Sequence, residues 1–289
     1  MNIIVTGSLG NISKPLTKEL VEKGHLVTVI SRKPEKQKDI EALGARSAIG
    51  YIEDAKFLST TFTGADAVYC MEPPYNPDAE KLFHNYVQAI QQSGVKRLVN
   101  LSSIGAHTDK GNGILAFYYN METSLKKLPS DVAITFVRPG GFYYNSLRFI
   151  NTIKTEGVIA SNYGGDDKIP WVSPIDIAAA VAEELVTPFA GRKVRYVASD
   201  ELTCDEVATI LGTAIGKPDL KWIIIPDEQM QSRLIAAGFS ARLAAGFVEM
   251  NASTHSGQLF EDYYRNRPVL GKVKMKDFAK EFASVYNQE

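Results

Sequence analysis

The sequence predicts an α/β fold, a doubly wound parallel sheet followed by a smaller, mostly helical C-terminal lobe. Three observations predict it. Strand-like apolar runs alternate with helix-period segments through the first half, a glycine-bearing turn joins the first strand to the first helix, and the rhythm loosens after Gly141. Bulk properties agree. Of 289 residues, 32 are Lys or Arg and 33 are Asp or Glu, so a formal net charge of -1 offers no basic footprint for a nucleic acid. Hydrophobic content of 45% with 22% charged residues excludes a disordered chain. No run approaches the roughly 18–20 apolar residues of a membrane span, and MNIIVTGSLGN carries no secretory pattern, so a cytoplasmic protein without membrane contact is expected. Cys70 and Cys204 lack any CxxC spacing and are expected to be buried packing residues, neither a disulfide framework nor a zinc site.

Residues 2–6 form a short β-branched run, the first strand. Ile12, Leu16 and Leu20 then recur at four-residue spacing, the apolar stripe of a helix that stops near Gly24, with Pro15 in the first turn, where no amide is missed. Residues 26–30, 46–49 and 67–70 read as strands two to four, with helical stretches around 40–43 and 55–62 between them. Residues 78–93 place Phe83, Val87 and Ile90 on one helix face and end before Gly94. A fifth strand at 97–101, a helix at 115–128 and a sixth strand at 133–137, ending at Arg138-Pro139-Gly140-Gly141, complete the sheet. Ser173-Pro174-Ile175-Asp176 starts a helix running to about Val186, and 194–197 is a further strand. Thr203-Cys204-Asp205-Glu206 is a capping box whose helix closes at Gly216, and after one apolar strand at 222–225 the chain is helical to Tyr286. The expected division is a dinucleotide-binding domain at 1–150 and 171–198 and a smaller substrate or partner lobe at 151–170 and 199–289.

Gly7-Ser8-Leu9-Gly10-Asn11-Ile12 lies between the first strand and the first helix, the context in which such a turn holds a diphosphate against a helix N-terminus. A third glycine is replaced by Ser13, whose side chain is expected to crowd the helix against the strand. The end of strand two selects the dinucleotide. Where an NAD site carries a carboxylate for the ribose hydroxyl, this chain has Ser31-Arg32-Lys33, and a guanidinium with an ammonium favours the 2'-phosphate of NADP(H). The alternatives are a plain strand-to-helix turn and a solvated basic loop continued by Lys36 and Lys38.

These segments resemble the atypical short-chain dehydrogenase/reductase superfamily in its NmrA-like branch, a Rossmann-fold group that includes NADPH-dependent quinone reductases and a redox-sensing regulator. The resemblance is carried by TGSLGNIS, SRK, VNLSSIGA, VRPGGFYYN and VSPIDIAAAVAEEL, and in the tail by YVASDELTCDEVATILG and the helices near Ala236 to Met250. It implies dinucleotide contacts from Thr6, Gly7, Leu9, Gly10, Asn11, Ile12, Arg32, Lys33, Met71, Glu72, Ser102, Glu122, Pro139 and Gly140. Superfamily reductases use Tyr-x-x-x-Lys, and the matching stretch here, Tyr118-Tyr119-Asn120-Met121-Glu122, has an acid at the lysine position. A carboxylate there disfavours a phenolate, which argues against an alcohol dehydrogenase or sugar epimerase. Glu122 with Lys126 reads as an exposed i, i+4 pair.

Quinone reduction survives this loss, because hydride arrival yields a weakly basic hydroquinone anion and the protein has mainly to bind both partners face to face. Tyr118 and Ser103 are then the candidate catalytic groups, with Ser102 also on the nicotinamide side, and Phe142, Tyr143 and Tyr144 the candidate walls of an apolar substrate slot. The plain alternatives are a turn-capping Ser102 and core aromatics. His25, His84, His107 and His255 have no ligand spacing, so no metal is expected, and Asp166-Asp167 and Glu183-Glu184 read as solvated charge. Two functions follow: an NADPH-dependent oxidoreductase acting on a quinone or similar small electrophile, toward which the Tyr-rich stretches lean, or a non-catalytic NADP(H) sensor acting through a protein partner.

Overall fold

The structure, a computed structural model, describes residues 1–72 and 78–288. Strands and helices alternate from the start: β1 (Asn2–Val5), α1 (Ser13–Glu22), β2 (Leu26–Ser31), α2 (Gln37–Glu41), β3 (Arg46–Ile49), α3 (Ala55–Phe62), β4 (Ala67–Cys70), α4 (Ala79–Ser93), β5 (Arg97–Leu101), α5 (Ala116–Leu125) and β6 (Ala133–Pro139). Then come β7 (Gly141–Phe142), α6 (Ile150–Glu156), β8 (Val158–Ser161), β9 (Lys168–Val172), α7 (Pro174–Val186), β10 (Arg192–Val197), β11 (Asp200–Thr203), α8 (Cys204–Ala214) and β12 (Lys221–Ile224). Helices α9 (Asp227–Ala236), α10 (Ala241–His255), α11 (Glu261–Arg265) and α12 (Met275–Gln288) close the chain. Among the described residues no helix is long and apolar enough to cross a membrane.

The main sheet has seven strands in the order β10-β6-β5-β4-β1-β2-β3. β1 pairs in parallel with both β2 and β4, Val5 standing beside Val29 on one side and Tyr69 on the other. From β1 the chain builds outward to β3, then returns to β4 and builds the other way. The carboxyl ends of β1 and β4 therefore flank the point where strand order reverses, which is where open α/β sheets place ligands. Strands covered on both faces must be apolar on both. Ile3, Ile4 and Val5 are accordingly all buried, as is every residue of β4.

Two compact units form. The first comprises Met1–Ser103, Phe117–Arg138 and Ile177–Arg195. Its core joins Ile4, Ile30, Val68, Leu98 and Ile134 of the strands to Leu58, Phe62, Leu82, Phe83, Tyr86, Ile90, Met121 and Leu125 of the helices. The second comprises Ile104–Ala116, Pro139–Asp176 and Tyr196–Glu289 and holds two small sheets, β11-β9-β7 and β12-β8, around an aromatic core with Phe149, Tyr163, Trp171 and Trp222.

Several expectations need correction. The helix at 115–128 starts one residue later and ends at Leu125, preceded by a 3₁₀ turn, Gly113–Leu115. β7, β8, β9 and β11 have no counterpart in the sequence reading; they are two to five residues long, β9 contains Pro170 and β11 is acidic, so tertiary pairing and not apolar alternation makes them strands. Glu184 is not solvated. It is 5% exposed and accepts from Thr135 Oγ1, Lys193 and Arg195, whose cations outweigh the cost of burial and hold its carboxyl below the ordinary range. The expected capping box is present in full, Thr203 and Glu206 each bonding the other's backbone N–H. Cys70 and Cys204 are free and buried, as expected.

Candidate functional site

The turn after β1 is shaped by one glycine. Gly7 has φ +86°, and a Cβ there would lie 2.7 Å from Ser13 Oγ and 2.8 Å from Met71 Sδ, so both backbone and space exclude a side chain. Ser8 also adopts a positive φ, 53°. The Ser8 amide donates to the Ile30 carbonyl at 3.1 Å and the Gly10 amide to the Gly7 carbonyl at 3.2 Å. Those of Leu9, Asn11 and Ile12 donate to no acceptor among the described residues. Free amides at the positive end of α1 suit an anion. Ser13 does not crowd the helix: its hydroxyl donates to the Thr6 carbonyl at 2.9 Å, turning the missing third glycine into a buried hydrogen bond. The Thr6 hydroxyl accepts the Met71 N–H at 2.9 Å and ties the ends of β1 and β4 together.

The basic segment after β2 is joined to this turn. Ser8 Oγ donates to Ser31 Oγ at 3.0 Å, and Ser31 Oγ accepts the Lys33 N–H at 3.2 Å. Arg32 and Lys33 are exposed, and neither side chain has an acidic partner among the described residues, whereas Lys36 is engaged by Asp39. The turn and these cations fit a dinucleotide carrying a diphosphate and a further phosphate: the free amides would hold the first, Arg32 and Lys33 the second.

After β4, Glu72 is 1% exposed and accepts the hydroxyl of Tyr86 on α4. Burial pushes its carboxyl up to about 8, against the Tyr86 hydrogen bond and with a small contribution from Glu53. Burial likewise raises the Cys70 thiol and the Tyr86 hydroxyl, both also facing the Glu72 charge.

At the ends of β5 and β6 the sequence reading is corrected. Glu122 and Lys126 do pair, at 3.3 Å, but the Glu122 side chain is 0% exposed. Arg138, at the end of β6, donates Nε to Oε1 at 2.8 Å and Nη2 to Oε2 at 2.7 Å. Ser102 Oγ donates to the same Oε1 at 2.6 Å, and its backbone N–H to the Val137 carbonyl at 2.7 Å. Lys126 lies over the Phe136 ring. The reason is tertiary: Arg138 and Ser102 are 16 and 20 positions from Glu122, beyond the reach of any helical spacing. Tyr118, one turn before Glu122, is half-buried with its ring edge-on to Phe117. The Ser103 hydroxyl has no partner among the described residues.

The remaining candidates lie in the second unit. Pro139 ends β6, its carbonyl accepting from Ile104, and the Gly140 N–H donates to Val197. Phe142 is half-buried. Tyr143 is buried, stacks on Phe278 and donates to Asp200 Oδ2 at 2.6 Å, with the Val273 carbonyl also in reach at 3.1 Å. Tyr144 donates to Glu281 at 2.8 Å, and burial followed by that carboxylate raises its hydroxyl to about 12. Arg138 and Ser31 were missed as site residues. The motif VRPGG marked Arg138 only as a strand end, and no local pattern announces a salt-bridge partner on another element.

An NAD(P)H azoreductase of Xenophilus azovorans is 27% identical over 251 residues, 86% of each chain. In structure the chain is similar to an NADPH-dependent quinone oxidoreductase of Escherichia coli solved with NADPH, with a TM-score of 0.83, 20% identity and coverage of 96% of this chain and 99% of that one. It is also similar to NmrA, a negative transcriptional regulator, with a TM-score of 0.72, 16% identity and coverage of 99% and 97%. These two likenesses establish the fold. The family model described as NAD(P)H-binding matches residues 7–188, from the Gly7 turn through α7, and the chain belongs to that NAD(P)H-binding family.

Proposed function

We propose that this protein is an oxidoreductase that uses NADPH in preference to NADH and reduces a quinone, azo compound or similar small electrophile. The observation that carries the reading is the Gly7 turn, whose Leu9, Asn11 and Ile12 amides are unbonded among the described residues, tied through Ser8 and Ser31 to the segment that carries Arg32, a guanidinium with no acidic partner among those residues. Leu9, Asn11 and Ile12 would hold the diphosphate, and Arg32 with Lys33 the 2'-phosphate. When bound, NADPH supplies the hydride. The chain offers the Ser103 and Tyr118 hydroxyls as hydrogen-bond donors to a substrate oxygen. With Glu122 in the lysine position, locked to Arg138 and paired with the Lys126 ammonium, no lysine one turn beyond Tyr118 supports alcohol oxidation. A substrate whose reduced form is a weak base fits that arrangement. The azoreductase relative and the quinone oxidoreductase neighbour support the same class.

A non-catalytic NADP(H) sensor is the second reading. It is favoured by the likeness to NmrA and by the hydroxyls of Tyr143 and Tyr144, which are bonded to Asp200 and Glu281. Purified protein mixed with NADPH and a panel of quinones, azo dyes and carbonyls, followed by the absorbance of reduced nicotinamide, separates the two. Consumption with a quinone or azo dye is expected. Micromolar NADPH binding with no consumption across the panel would establish the sensor instead.

A further inference from the structure

Between the Gly7 turn and α4 lies a buried carboxyl that the dinucleotide reading leaves unused. Glu72, two residues past β4, is 1% exposed, and its Oε1 accepts the Tyr86 hydroxyl from α4. The Thr6 hydroxyl, at the end of β1, donates toward the Tyr86 oxygen, and Thr6 Oγ1 accepts the Met71 N–H at 2.9 Å. Glu72 is therefore two hydrogen bonds from the strand end that opens the turn. The groups that face it carry no positive charge. They are Thr6 of β1, Cys70 of β4, Tyr86 of α4 and Glu53 of the segment before α3, whose carboxylate only adds repulsion. Residues 73–77 bring no cationic side chain in the sequence. Glu122, equally buried, differs in meeting Arg138 and Lys126. A carboxyl buried without a cation holds its proton, and burial pushes Glu72 up to about 8, against the Tyr86 hydrogen bond.

We propose that Glu72 is a positioning residue that links dinucleotide binding to a proton: the turn takes its diphosphate while Glu72 is protonated, and an ionised Glu72 weakens the complex. This rests on the dinucleotide reading above. Glu72, almost without exposed surface, acts by its charge and through Tyr86 and Thr6, not by touching the ligand. A carboxylate there would repel the anion that the Leu9, Asn11 and Ile12 amides are placed to hold, and Coulomb repulsion reaches across two hydrogen bonds in a poorly solvated interior. The bound anion in turn raises the carboxyl further, so near pH 8 and above the complex takes up a proton as it forms. Affinity is then full while Glu72 is protonated in both states. It falls as pH rises past the value of the free protein and levels off above that of the complex.

The test is calorimetric titration of the full-length protein with NADPH from about pH 7 to 9.5, above the second ionisation of a phosphate monoester at about 6. Affinity is expected to fall about three- to tenfold across that range, the size of a screened repulsion between neighbouring charges. Titrations in buffers of different ionisation enthalpy are expected to show about a quarter to a half of a proton taken up per nucleotide near pH 8.5. Glu72→Gln, which keeps an acceptor for Tyr86 and cannot ionise, is expected to lose both the fall and the uptake. Tyr86→Phe removes a hydrogen bond that favours the carboxylate, so its fall is expected to begin at higher pH. A thermal melt at pH 7 shows whether each variant is folded, and the uptake by the unsubstituted protein needs no variant. Affinity independent of pH in that protein overturns the link while NADPH binding itself stands. So does a fall that persists in Glu72→Gln, the result of a merely structural Glu72. No heat with NADPH at any pH overturns the dinucleotide reading, and the link with it.

Discussion

The Ser8 hydroxyl donates to the Ser31 hydroxyl at 3.0 Å, so the turn that follows β1 and the basic segment that follows β2 are one hydrogen-bonded unit, 23 positions apart in sequence. Ser31 passes the connection on to the Lys33 backbone. On the proposed reading, the diphosphate and the 2'-phosphate of one ligand would both be met by this hydrogen-bonded unit.

Arg32→Ala tests the outer half of that corner. A charged hydrogen bond to a phosphate contributes roughly 1.5–3 kcal/mol, so affinity for NADPH is expected to fall about ten- to hundredfold. NADH affinity should stay within about twofold, since it lacks the 2'-phosphate. Calorimetry with both nucleotides measures the ratio, and a preference for NADPH that survives the substitution refutes the role of Arg32.

Gly7→Ala tests the inner half. The added Cβ meets left-handed backbone and atoms of Ser13 and Met71 under 3 Å away, whereas at Gly24, with φ +80°, nothing lies within 4 Å. Strain plus overpacking is expected to cost about 2–4 kcal/mol at Gly7 and to weaken NADPH binding. Gly24→Ala is expected to cost about 1–2 kcal/mol from backbone strain alone and to leave binding intact. Urea titration with nucleotide binding on both variants checks the difference, and equal effects at the two positions would show that the turn does not depend on the space around Gly7.

Glu72 predicts a pH dependence of stability. Burial raises its carboxyl from the usual 4.5 to about 8, so the folded protein keeps a proton that the unfolded chain releases. Its contribution is therefore complete below about pH 4.5, is lost as pH rises through 8, and changes no further above that. Glu72→Gln retains an acceptor for Tyr86 without the titration. Compared with this variant, the unsubstituted protein is expected to lose roughly 3–5 kcal/mol between pH 5 and 8. Urea unfolding at pH 5, 6.5 and 8 gives the two curves, and parallel curves would show that Glu72 ionises freely in the folded state.

The strands of the main sheet were legible because central parallel strands carry their signal locally. β4 and β5 have the expected limits, since each apolar run is bounded by polar residues or turns, while β3, Arg-Ser-Ala-Ile at the sheet edge, matches its expected limits without such a run. The Gly7 turn was legible for the same reason, as its context is complete within about a dozen residues. β8, β9 and β11 were not, because four or five residues, broken by a proline in β9 and by acids in β11, have no periodicity to read, and their partners β12, β7 and β9 lie far along the chain or supply too short a pattern.

The candidate site divides along the same line. The composition, the alternation of elements, the phosphate-type turn and the cations at Arg32 and Lys33 follow from residue type and near-neighbour spacing, which the chain carries whether or not it is folded. Whether a carboxylate is exposed or locked, and which serine donates to it, depends on groups that meet only after β5, α5 and β6 have packed. Glu122 looks like half of a surface pair when only Lys126 is near; folding brings Arg138 and Ser102 to it and excludes water, and burial with a guanidinium partner, not sequence position, gives it its chemistry.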